Sequence, residues 1–75
     1  MNKARRKELD RAADMLREAY SIIESCRDDE EDAYDNLPES FQDGERGEEM
    51  QEYIDVMDEV MDQIDEAANA IEEII

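Results

Sequence analysis

The sequence predicts an all-α fold: an antiparallel two-helix hairpin, coiled-coil-like, that dimerises into a four-helix bundle. Three observations lead there. Apolar residues recur at helical spacing on both sides of a central break. The break holds the only proline, Pro38, and both glycines, Gly44 and Gly47, residues that interrupt helices and build turns. The apolar stripes are also wider than one partner helix covers, because a two-helix seam needs only the a and d positions of each heptad.

The first helix is expected over 3–36. With Leu9 at a, Leu16 and Ile23 are also a, Ala12, Ala19 and Cys26 are d, Ala13 and Tyr20 are e, and Met15 and Ile22 are g. The pattern lapses at Glu30 and resumes at Ala33 and Leu37. Pro38 ends the helix, since the residue before a proline avoids the helical region. A turn is expected over 37–47, where Ser40, with Asp43 three residues on, caps a short helical turn.

The second helix is expected over 48–75. Met50, Met57, Ile64 and Ile71 take a, Tyr53, Val60, Ala67 and Ile74 take d, and Ile54, Met61, Ala68 and Ile75 take e. No Gly or Pro interrupts this stretch, and its early glutamates suit the positive end of the helix dipole. Folding the chain about Phe41–Gln42 sets Leu9 near Ile75, Leu16 near Ala68 and Ile23 near Met61, with Arg5 and Arg6 toward Glu72 and Glu73. The core and dimer face are therefore expected to be Leu16, Tyr20, Ile23, Met50, Tyr53, Ile54, Met57, Val60, Met61, Ile64 and Ile71. The e positions of both helices, together with Met15, Ile22 and Val56, are surplus to a two-helix seam, to be covered by a second copy or by a docked target protein.

The 75 residues allow one domain, 1–75, whose small core needs a staple. The single Cys26 forms no intrachain disulfide and reads as a small core residue. There is no histidine, so neither zinc ligation nor acid–base chemistry near neutral pH is supported. No phosphate loop or dinucleotide fingerprint occurs. The expectation is a non-enzyme without catalytic residues, cofactor or metal. The start, "MNKARRKELD", is basic but lacks an apolar signal core, and no run is apolar for long enough to span a membrane. A cytoplasmic, reducing setting fits.

The charge is extreme and lopsided. The chain has 8 basic and 25 acidic residues, a net charge of −17, and Arg46 is the only base after Arg27. That balance argues against direct binding to nucleic acid or to anionic membranes, both polyanions. It favours a basic protein surface, above all one that itself binds nucleic acid. The candidate partner-binding residues are Glu52, Asp55, Asp58, Glu59, Asp62, Asp65 and Glu66. Like charges three and four apart weaken a helix by tenths of a kcal/mol each, so a helix face free of bases points to a useful negative field. Its carboxylates recur about every ~4 Å of helix, against one charge per roughly 3.4 Å along a DNA strand.

One stretch imitates a metal site. Asp28, Glu30, Asp32, Asn36 and Glu39 have the spacing of EF-hand calcium ligands. Ala33 stands where that loop needs Gly, Asp35 where an apolar residue is usual, and Pro38 falls just before the last ligand. The window reads as a solvated helix tail, with a weak calcium site as a third functional alternative.

The segment "AYDNLPESFQDGERGEEMQEYID", Ala33 to Asp55, carries a Tyr-Asp-Asn-Leu-Pro-Glu-Ser turn at Tyr34–Ser40 and a Glu-Arg-Gly-Glu helix start at Glu45–Glu48. In this it resembles small acidic helical-hairpin proteins encoded by bacteriophages and bacterial mobile elements. The resemblance covers about a third of the chain. It implies that Leu37 and Phe41 plug the open end of the hairpin and that Arg46 bonds back to its acids. It also implies inhibition of host machinery that handles nucleic acid, as anti-restriction and anti-CRISPR proteins do. The expected function is thus a nucleic-acid mimic of anti-defence type, with a structural or assembly adaptor acting through the apolar faces as the alternative.

Overall fold

The first helix is started by Asn2, whose side-chain Oδ1 accepts the backbone N–H of Arg5 at 2.8 Å. This satisfies one of the four N–H groups that a helix start leaves unpaired. From there α1 runs over Lys3–Asp35, 33 residues without Gly or Pro. In the computed structural model, which describes residues 1–75, α1 is followed by a one-turn helix, α2 (Glu39–Gln42), and by α3 (Glu45–Ile74), with no strand. The two long helices pack side by side into a rod of 58 × 14 × 12 Å. No helix is long and apolar enough to cross a membrane.

The connection is tighter than the sequence suggests. Pro38, not Ser40, is the N-cap of α2, and it provides no side-chain cap. Its carbonyl accepts the backbone N–H groups of Phe41 and Gln42 at 2.8 and 3.1 Å. Ser40 lies inside the turn of helix. The helix α3 opens at Glu45, three residues before the expected start, and so takes in Gly47.

Gly47 is buried, and a Cβ built on it would overlap the carbonyl of Gln42, lying 2.6 Å from the carbonyl carbon. Here glycine is required by close approach and not by turn geometry. The Gln42 side chain in turn donates to the Tyr34 carbonyl at 3.0 Å, tying the connection to the end of α1. The expected plug is absent: Leu37 is half-buried, but Phe41 is 55% exposed. Arg46 makes no ion pair and lines a shallow groove together with Glu30, Glu49 and Tyr53.

The seam between α1 and α3 uses the expected a positions together with e, not d. On α3, Met50, Ile54, Met61 and Ala68 are buried, Ile54 at 4% and Ala68 at 0% exposure, and Met57, Ile64 and Ile71 are half-buried. On α1 the matching line is Leu9, Ala13, Leu16, Tyr20 and Ile23, with Ala13 buried. Spacings of four and three alternate along both lines, as a coiled-coil seam requires. The d positions are displaced outward: Cys26 is exposed rather than a core residue, as are Tyr53, Ala67 and Ile74, and Val60 is half-buried. Only 6 of 75 residues are buried, so this seam alone is a thin core.

Candidate protein-binding surface

Two long faces flank the seam, and the antiparallel arrangement gives them opposite chemistry. Residues one position before the seam lie on one face of both helices. These are Ala12, Met15, Ala19, Ile22 and Cys26 on α1, and Tyr53, Val56, Val60, Ala67 and Ile74 on α3. Met15, Ile22, Tyr53, Val56 and Ile74 each keep half or more of their surface exposed. Gln63 is the polar residue in the middle of the α3 stripe.

Residues one position after the seam form the other face, which is polar. On α3 it carries Asp55, Asp58, Asp62, Asp65, Asn69 and Glu72. Two arginines of α1 reach across to it. The Arg17 guanidinium donates to Asp65 at 2.9 Å, to Asn69 at 2.8 Å and to Glu72. Arg27 donates to Asp58 at 2.9 Å, to its neighbour Asp28 at 3.4 Å, and to Glu31 one turn on. Both guanidinium pKa values are raised, that of Arg17 by its hydrogen bonds to Glu72 and Asp65, that of Arg27 by its hydrogen bond to Asp58. These bonds place Arg17 level with Asp65–Asn69 and Arg27 level with Asp58, in keeping with a fold about Phe41–Gln42. They also reassign Glu72, which is held by Arg17 and not by Arg5 or Arg6.

The predicted acidic set is therefore divided. Asp58 and Asp65 are ion-paired within the chain. Glu52, Asp55, Glu59, Asp62 and Glu66 are exposed and have no cation within ion-pairing distance. At the loop end of the apolar face, the Tyr53 phenol donates to Glu49, one turn back. That hydrogen bond and the carboxylate's charge raise the phenol's pKa above 10.0. Asp28, Glu30 and Asp32 of the calcium-like window lie within continuous α-helix, where alternate residues point in different directions. They do not converge as the ligands of a loop do, and no group of three or more acidic or Cys side chains is arranged to hold a metal ion.

Sequence reasoning passed over Gln42, Arg17 and Arg27 as builders of the structure. A sign existed for the two arginines: they are the only bases on α1 after Arg11, and each sits opposite a carboxylate once the fold axis is fixed. No protein-family model, curated protein or solved structure matches this chain.

Proposed function

We propose that the chain is a non-enzymatic, cytoplasmic protein-binding module. It pairs with a second copy through its apolar face into a four-helix bundle and turns its carboxylates outward to a basic, nucleic-acid-binding protein. In its sharpest form it is a phage or mobile-element inhibitor that stands in for a phosphate backbone. The observation that carries this reading is the unmatched set on α3. Glu52, Asp55, Glu59, Asp62 and Glu66 are exposed without a cation, while both arginines that cross to α3 are taken by Asp58, Asp65 and Glu72. A face selected for solubility alone would mix signs.

The test uses the immobilised chain on bacterial lysate, with bound protein eluted by a salt step or by short duplex DNA. Charge-driven binding weakens strongly from low to moderate salt, and DNA displaces the captured protein because both compete for one basic groove. Reversing Glu52, Asp55, Glu59 and Asp62 together to Lys abolishes capture, while single reversals each weaken it modestly. Asp58 and Asp65 are left alone because they hold α1.

A second reading, an adaptor that docks a target on the apolar face, is favoured by the exposure of Met15, Ile22, Tyr53, Val56 and Ile74. It predicts the reverse result: binding insensitive to salt and to the fourfold reversal, and lost when Tyr53 and Val56 are made polar.

A further inference from the structure

We propose that the occupant of the apolar face is a second copy laid antiparallel, with the two connections at opposite ends of the bundle, α1 against α1 and α3 against α3. This rests on the self-pairing proposed above and adds its orientation.

Surface area says how much must be covered. The chain exposes 5702 Å², where a compact monomer of 8.8 kDa exposes about 4,800 Å². The excess of about 900 Å² is close to the roughly 800 Å² that each partner buries in a standard interface. It accompanies a face on which five large apolar side chains are half or more exposed.

Charge selects between the two orientations that a two-fold axis allows. The half of the rod near the connection, Asp28 to Asp58, holds fourteen acidic residues and Arg46 alone. The opposite end holds Lys3, Arg5, Arg6, Lys7 and Arg11, of which only Arg11 is ion-paired, to Glu8 at 3.4 Å. An axis along the bundle sets two acidic halves side by side. Packed helices lie about 8–10 Å apart, within the Debye length of roughly 8 Å or little beyond it, so that repulsion is felt. An axis across the bundle separates the two acidic halves. It brings the basic first turns of α1 against Asp28–Asp35 of the second copy.

Packing selects the same way. The stripes of α1 and α3 are each near-symmetric about one height in the rod, at Tyr20–Ser21 on α1 and Gln63–Ile64 on α3. Turning a second copy about that height sets Met15 opposite Cys26, Ala19 opposite Ile22, Val60 opposite Ala67 and Val56 opposite Ala70. Large residues meet small ones in these four pairs, the large Tyr53 and Ile74 meet each other, and Gln63 meets its own copy. A glutamine amide both donates and accepts, so the two side chains satisfy each other. A single polar pair in an apolar seam fixes register and orientation. The parallel arrangement instead sets Gln63 against Ile22.

Disulfide trapping tests this. Light scattering of the unmodified chain gives its mass, and Met15→Cys, with native Cys26 present, is then oxidised. A disulfide needs Cα atoms about 4.4–6.8 Å apart. Within one chain the two positions are eleven residues apart on a helix, about 16 Å, so only the second copy can close the bond. The expected result is a chain of twice the mass before oxidation and a covalent dimer of Met15→Cys on a non-reducing gel, while the unmodified chain stays uncrosslinked. A dimer in which Met15→Cys fails to crosslink, while Met15→Cys with Ala70→Cys and Cys26→Ser does, overturns the orientation and leaves the self-pairing intact. A clean monomer by light scattering overturns both.

Discussion

At the scale of single residues, the connection depends on one glycine and the chain's cohesion on two arginines. Gly47 is the residue of α3 that passes the Gln42 backbone, and no side chain fits between them. Gly47→Ala is therefore expected to destabilise the hairpin by about 1–3 kcal/mol, the usual cost of overpacking, despite alanine's better helix propensity. Gly44 is different. It is the N-cap of α3, has no positive φ, and a Cβ there would meet only ordinary neighbours, the nearest at 3.4 Å. Gly44→Ser adds a capping hydroxyl where none exists and is expected to be neutral or to stabilise by a few tenths of a kcal/mol. Thermal melts of the two variants check the pair, and equal effects would mean that the close approach at Gly47 does not limit packing. The sequence marked both glycines as turn residues. It could not separate them, because the distinction lies in what backbone passes nearby.

At the scale of elements, the helices were legible and their phase was not. Uninterrupted apolar periodicity on either side of Pro38 and the glycines suffices for two helices and a reversal. Phase requires knowing which neighbour of the a line turns inward. On α3 both candidates are apolar: Tyr53, Val60, Ala67 and Ile74 on one side, Ile54, Met61, Ala68 and Ile75 on the other. The polar side chains decide it. With e inward, Asp58 and Asp65 come to the face where Arg27 and Arg17 reach them, whereas d inward would carry them away. The acidic set was legible as a composition, but its division into paired and unpaired members follows from this phase. The consequence is testable at adjacent residues. Ile54→Ala is expected to cost about 2–5 kcal/mol, as for a buried Ile, and to lower the melting temperature at every protein concentration. Tyr53→Ala is expected to leave the hairpin helical by circular dichroism and to shift its mass from two chains toward one. If Tyr53→Ala costs the hairpin as much as Ile54→Ala, d shares the seam after all.

At the scale of the whole molecule, the rod is a compromise between a thin apolar seam and a large self-repulsion. Six buried residues supply little cohesion, and a net charge of −17 opposes it, because like charges destabilise a compact state. The attractive pairs that oppose this repulsion across the seam are those of Arg17 and Arg27, and exposed pairs are individually weak, about 0–1 kcal/mol. Added salt screens both contributions, so the sign of its effect reports which is larger. With fourteen acidic residues against one base between Asp28 and Asp58, repulsion has many more partners than attraction. Raising sodium chloride from low to moderate concentration is therefore expected to raise the melting temperature. For a domain of this size each kcal/mol of relieved repulsion is worth about 4–8 °C. Protein concentration must be held fixed, because a self-pairing chain melts higher when more concentrated. A melting temperature that falls with salt would mean that the two arginine networks outweigh the acidic surplus. The field of the rod would then be largely neutralised within the chain, leaving less of it to attract a basic partner.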